Sequence, residues 1–161
     1  MISVTRPVLH GAVAGLAGTT ALNMAGYVDI VFRGRPISDT PEITVRTLAA
    51  KLHVRIPGDE QIQENRIAGL GPLTGYAVGM GMGVALSLAQ AAGWLPTKAS
   101  RYAVASLFAL TVTNMPIFLL GISDPRTWAP SDWVSDIIPH GLFAVVTVQA
   151  IEKLEAAGPQ S

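Results

Sequence analysis

The chain has 161 residues, of which 50% are hydrophobic and 14% are charged, and its mean hydropathy is +0.42. A typical soluble domain carries about 25% charged residues, so this composition favours a membrane protein. The eleven basic and eleven acidic residues cancel, which excludes a strongly basic surface for nucleic acid. The chain has no cysteine, which excludes disulfides, thiolate catalysis and cysteine-ligated metals.

Four long apolar stretches follow one another along the chain. Three of them contain no Asp, Glu, Lys or Arg, and in the fourth, from residue 137 to 151, only His140 can carry charge. A bilayer core of about 30 Å needs about 20 residues of helix. We therefore predict an all-α fold, an integral membrane bundle in one domain, 1–161, with four transmembrane helices at about 8–31, 69–93, 102–122 and 133–153.

Two alternatives to this interpretation are weaker. A cleaved signal peptide has an apolar region of about 7–15 residues, whereas the first stretch runs on past Tyr27. A soluble helical bundle shows polar stripes at helical spacing, and these stretches have none wide enough. Aromatic residues at the ends of the stretches, which favour the headgroup layer, also support the membrane spans: Trp94, Tyr102, Trp128 and Trp133.

The one long connection is 32–67, and it contains a helix start signal at Thr40, Pro41 and Glu42. These residues supply an N-cap, a proline suited to the first turn and a negative charge at the positive end of the helix dipole. We expect an amphipathic helix over about 41–54, lying on the membrane surface or on the bundle. Its apolar face consists of Val45, Leu48, Ala49 and Leu52.

The distribution of Lys and Arg predicts the orientation. Connections on the side of residues 32–67 carry seven of these residues and the opposite side carries four. Because positive residues are enriched in cytoplasmic loops, the sequence favours a cytoplasmic long connection with both termini outside.

Glycines recur at helical spacing in two of the predicted spans. Small residues let two helix backbones approach closely, which is how helices associate in lipid. The pattern predicts tight helix contacts, and the partner is a helix of this chain, a copy of the chain or another protein. The helix-packing candidates are Gly11, Gly15 and Gly18 in the first span and Gly71, Gly75, Gly79 and Gly83 in the second.

A few polar residues lie within the predicted spans, and ionisable groups inside a bilayer are candidates for function. Asp136 and His140 are four residues apart and share a helix face. Two interpretations remain open, a proton-titrating or ligand-binding site and a structural hydrogen-bonded cluster; Asp29 has the further option of pairing with Arg33. The candidate cluster comprises Asp29, Asn23, Asn114, Asp136 and His140.

The sequence indicates no catalytic residues, no metal site and no cofactor. Bis-histidine haem ligation needs two imidazoles at one depth, and His10 and His140 fall in opposite halves of the predicted bilayer. Zinc-protease, nucleotide-binding and serine-hydrolase motifs are not present either.

The segments GAVAGLAGTTALNM, RGRPISDTPE and DIIPHGLFAV together resemble small four-span membrane proteins of high-GC bacteria whose function is unknown. The resemblance covers most of the chain. It implies a multi-pass protein of the bacterial inner membrane and implies no reaction.

The sequence favours the first of three functions, and the second and third are alternatives to it. The first is a non-enzymatic accessory or assembly subunit that packs into a larger membrane complex through its glycine faces. The second is a small homo-oligomeric transporter or channel with a protonatable Asp/His cluster. The third is an intramembrane enzyme acting on lipid or quinone. The expected partners are the lipid bilayer and other membrane subunits or copies of the chain, and no nucleic acid.

Overall fold

The computed structural model describes residues 4–157, which form helices and connecting loops without any β-strand. This confirms the predicted all-helical chain. In order, the elements are α1 (Thr5–Arg33), α2 (Thr40–Lys51), α3 (Glu60–Ala91), α4 (Lys98–Leu119), a 3₁₀ turn (Pro125–Thr127) and α5 (Pro130–Ala156).

Three helices are long and apolar enough to cross a membrane, namely α3, α4 and α5. This indicates a membrane protein. Helix α1 has 29 residues but is not among the three, although the sequence predicted a span at 8–31. Its uncharged stretch is rich in glycine and alanine and includes Thr19, Thr20 and Asn23, residues that add little or no hydropathy.

Local signals fix most helix ends. Helix α1 ends at Gly34, which has a left-handed φ of 63° and whose N–H bonds to the Ile30 carbonyl, as glycine does after a helix. The Asp59 carboxylate caps α3, and Thr97 caps α4. The expected cap at Thr40 is wrong by one residue, because Thr40 is the first residue of α2 and Asp39 precedes it without a side-chain cap.

Helix α1 is the centre of the bundle and packs along both α3 and α5. It runs antiparallel to α3, since Gly11 lies against Gly83 and Gly15 lies against Gly79. A Cβ atom on Gly11 would come 2.6 Å from the Val84 Cα. The two backbones therefore touch directly, and no side chain larger than hydrogen fits between them.

An adjacent face of α1 packs on α5. Gly18 lies beneath Thr147 and Phe143, where an added Cβ would come 2.9 Å from the Phe143 ring. Phe143 is 1% exposed and clusters with Met82 of α3 and Ala109 of α4. One aromatic ring thus contacts all three of the other long helices.

The glycine stripe of α3 has three different environments. Gly79 and Gly83 face α1, whereas Gly71 lies next to Pro41 and Glu42 of α2. Gly75, between them, has no neighbouring atom within 4 Å of a built Cβ. The regular four-residue spacing therefore does not correspond to one continuous interface.

Helix α2 packs on α3. Pro41 lies beside Gly71, and the Arg46 guanidinium pairs with the Glu64 carboxylate. The two helices are thus antiparallel near the start of α3. With 32 residues, α3 is about 48 Å long at 1.5 Å per residue, which exceeds the ~30 Å bilayer core and leaves its first turns to pair with α2.

Helix α4 lies at the edge of the bundle and packs mainly on α5. Its inner face has the small residues Ala105 and Ala109, both fully buried. Its outer face is a stripe of exposed residues at helical spacing, which we call the α4 stripe: Val104, Leu107, Thr111, Met115 and Leu119.

Candidate functional site

Four polar side chains meet between α4 and α5, and we call them the His140 cluster: Thr113, Asn114, Asp136 and His140. The Asn114 amide donates to Asp136 Oδ2 at 2.8 Å. Thr113 Oγ1 lies 2.9 Å from His140 Nε2. His140 Nδ1 lies 3.3 Å from Asp136 Oδ1. Both ionisable side chains are nearly covered, with 11% of His140 and 15% of Asp136 exposed.

The surroundings of His140 determine which ring nitrogen carries hydrogen in the neutral imidazole. Nδ1 is 2.7 Å from the Asp136 carbonyl oxygen and also faces the Asp136 carboxylate. Both neighbours are acceptors, so Nδ1 must be the donor. Nε2 is then left with its lone pair directed at the Thr113 hydroxyl.

Pro139 lies inside α5 and does not begin it, because the helix runs unbroken from Pro130 to Ala156. Proline has no N–H, so the helical hydrogen bond to the Ser135 carbonyl is missing. Pro139 therefore interrupts the backbone hydrogen bonding of α5 without ending the helix.

Asp29 belongs to a separate ion cluster at the same end of the bundle. Its carboxylate accepts from Arg35 Nε at 2.5 Å and from the Ser135 hydroxyl at 3.1 Å, and Arg33 lies 3.5 Å away. The Arg33 guanidinium also bonds to Ser135. Asp29 is thus neutralised by arginines where the bundle meets solvent.

The structure therefore separates Asp29 from Asp136 and His140, which the predicted cluster had grouped together. Successive helical residues are about 100° apart, so Ser135 faces α1 while Asp136 faces α4. Asn114 does join the cluster, as a donor to Asp136. Asn23 is half-buried on α1 and, among the contacts of residues 4–157, takes no part in either group.

The cluster predicted from the sequence does not include Thr113, and the structure makes it the direct partner of His140. The spacing along α4 carried a usable signal. Thr113 and Asn114 are adjacent polar residues inside a largely apolar span, as Ser135 and Asp136 are on α5.

The opposite end of the bundle has its own polar link. Arg101 Nη1 of α4 donates to the Glu152 carboxylate of α5 at 2.8 Å, and Arg101 Nε donates to the Leu95 carbonyl at 3.1 Å. Since Asn114 also bonds to Asp136 near the other end, both ends of α4 are joined to α5 by polar contacts.

In the loop before α5, hydrogen bonds from the Arg126 side chain and backbone lower the pKa of the Asp124 carboxyl.

The chemistry open to the His140 cluster is proton exchange. Asp136 and His140 are one carboxylate and one imidazole in contact, and imidazole is the side chain that gains or loses a proton in the neutral range. Among residues 4–157, no group of three His, Cys, Asp or Glu side chains is arranged to hold a metal ion.

Comparison of the chain with family models, curated proteins and solved structures gives no match.

Proposed function

We propose that the chain is a small integral-membrane transporter or channel in which His140 and Asp136 bind and release protons. The observation that carries the proposal is the near-complete burial of this imidazole–carboxylate pair between two helices that are each apolar and long enough to span a membrane. Ionisable groups at such positions are costly and are found where ions or protons move.

The surroundings of the pair also support the proposal. Asn114 orients the Asp136 carboxylate and Thr113 orients the His140 ring, so both groups are held in place by α4. Asp136 lies one helical turn nearer the solvated end of α5 than His140. Asp136 is therefore the nearer of the two groups to a proton that arrives from that end.

The test is proton flux into liposomes that contain the purified protein and a pH-sensitive dye. An imposed pH gradient should collapse at least ten times faster than in empty liposomes. His140→Gln, which keeps hydrogen-bonding capacity but cannot exchange a proton in the neutral range, should abolish the difference.

The matched control for this test is His10→Gln. His10 lies near the start of α1, at the opposite end of the bundle, so its replacement should leave the flux unchanged. Equal flux through wild-type protein and His140→Gln would overturn the proposal, provided that both proteins elute as folded species.

We further propose that α1 is a fourth span and that the protein belongs to the bacterial inner membrane with α2 in the cytoplasm. Helix α1 packs along both α3 and α5, so it occupies the same depth range as two apolar helices.

Because the chain has no cysteine, single cysteine substitutions report which side of the membrane each connection faces. Lys98→Cys should react with an impermeant maleimide in intact spheroplasts, and Lys51→Cys only after lysis.

The second candidate is an accessory subunit of a larger membrane complex, and the α4 stripe favours it. Leu107 is 67% exposed and Leu119 is 72% exposed on this face, which leaves largely apolar surface for a partner helix. The glycine faces give less support, since four of these glycines contact one another inside the bundle.

Native mass after gentle extraction distinguishes the two candidates. Foreign subunits favour the accessory role, and a closed homo-oligomer favours the transporter.

A further inference from the structure

The Thr113 hydroxyl has two possible hydrogen-bond acceptors nearby but only one hydrogen to donate. Its oxygen lies 2.8 Å from the Ala109 carbonyl and 2.9 Å from His140 Nε2. A hydroxyl has one hydrogen to donate and lone pairs with which to accept. It can therefore donate to either partner, but not to both at once.

The protonation state of His140 decides between the two arrangements. When the imidazole is neutral, Nε2 carries a lone pair, and the Thr113 O–H donates to it. When the imidazole is protonated, Nε2–H donates to Thr113 Oγ1, and the hydroxyl hydrogen turns to the Ala109 carbonyl. Each state leaves every buried donor of the pair with an acceptor.

We propose that Thr113 is the positioning residue of the proton site, and that its hydroxyl reverses direction when His140 takes up a proton. This inference rests on the proposed function, since it treats His140 as the group that binds the proton. Because the heavy atoms need not move, the contact between α4 and α5 persists in both states. The site can thus be charged and discharged without separating the helices.

Few other charged groups face this site. Asp136 is the carboxylate next to the ring on α5, and α4 presents the uncharged Thr113 and Asn114. From α1, Asp29 with its arginines reaches α5 at Ser135, on a different face. The part of α3 that clusters with α5 contributes Met82 and Val78. The charge on His140 is therefore stabilised chiefly by Asp136 and by hydrogen bonds.

The test measures the charge of the His140 ring by nitrogen NMR in lipid nanodiscs. His10→Gln and His53→Asn are introduced first, so that a single labelled histidine remains; asparagine tolerates the positive φ of 55° at residue 53. The readout is the ratio of charged to neutral imidazole at one fixed pH. It is compared in this background with Thr113 unchanged (called wild-type below), with Thr113→Val and with Thr113→Ser.

We expect Thr113→Val to lower that ratio about tenfold. Valine has the shape of threonine but leaves the charged Nε2–H without an acceptor, and a hydrogen bond to a charged group is worth more than one to a neutral group. Thr113→Ser keeps the hydroxyl and should restore the wild-type ratio. If Thr113 only supported the fold, the ratio of charged to neutral imidazole would be the same in all three proteins.

Two negative results have different meanings. If His140 charges normally and Thr113→Val has the wild-type ratio, the hydroxyl reversal is wrong and the proposed function stands. If His140 stays neutral at every pH from about 4 to 9, a range that brackets ordinary imidazole titration, both the reversal and proton binding by His140 are wrong.

Discussion

Gly83→Val is expected to lower the free energy of unfolding by about 3 kcal/mol or more. A Cβ at this position would come 2.7 Å from both the nitrogen and the Cα of Gly15, and it would meet the Gly11 carbonyl oxygen. All of these are backbone atoms, so no side-chain rotation relieves the overlap. Helices α1 and α3 must separate along much of their shared length.

The matched control is Gly75→Val, on the same helix and in the same four-residue repeat. Nothing lies within 4 Å of a Cβ built at Gly75, and the change of helix propensity is the same for both variants. Unfolding in mixed micelles with increasing detergent denaturant measures the difference. Equal stability of the two variants would show that α1 and α3 do not touch through these glycines.

Phe143→Ala should be the next most destabilising change, by about 2 to 4 kcal/mol. The ring is 1% exposed and contacts Gly18, Met82 and Ala109 on three helices. Lipid tails are as apolar as the protein interior, so the loss comes from the unfilled cavity and the missing van der Waals contacts and not from transfer out of water.

Leu142→Ala serves as the comparison for Phe143→Ala. Leu142 is the preceding residue on α5 and is 42% exposed. Its truncation leaves no enclosed cavity, because lipid or detergent can fill the space. Thermal unfolding in the same detergent should separate the two variants clearly. A loss as large for Leu142→Ala as for Phe143→Ala would contradict the central position of the ring.

The sequence predicted the helices well because long uncharged stretches leave few alternatives. Each predicted span overlaps one observed helix, although 69–93 ends two residues after α3 and 102–122 ends three residues after α4, and α2 begins at residue 40 and ends at 51, against a predicted 41–54. Helix α3 also begins nine residues before its predicted span. Its polar first turns, from Glu60, are helical because Asp59 caps them and α2 packs on them, and hydropathy alone does not report either effect.

The candidate site was predictable in part. The four-residue spacing of Asp136 and His140 places them on one face whatever surrounds α5. Which neighbouring helix that face meets depends on the rotation of α5 about its axis, and a single sequence does not specify that rotation. The sequence therefore grouped Asp29 with Asp136, although the residue of α5 that Asp29 contacts is Ser135, one residue away.

The glycine repeat shows the same limit. Spacing identifies the face of α3 but not how far a neighbour extends along it, so Gly71, Gly75 and Gly83 looked equivalent. In the structure Gly71 meets α2, Gly83 meets α1, and Gly75 meets neither. Only the observed crossing of the helices separates a tightly packed glycine from an open one.

The peripheral position of α4 sets it apart from the other three long helices. Helices α1, α3 and α5 interlock through backbone contacts and the Phe143 ring, whereas α4 has Ala105 and Ala109 against its neighbours and polar links at either end. Regions with fewer buried contacts open at lower free energy than the rest. Helix α4 is therefore expected to open at a lower free energy than α1, α3 and α5, and the His140 cluster lies where α4 would detach.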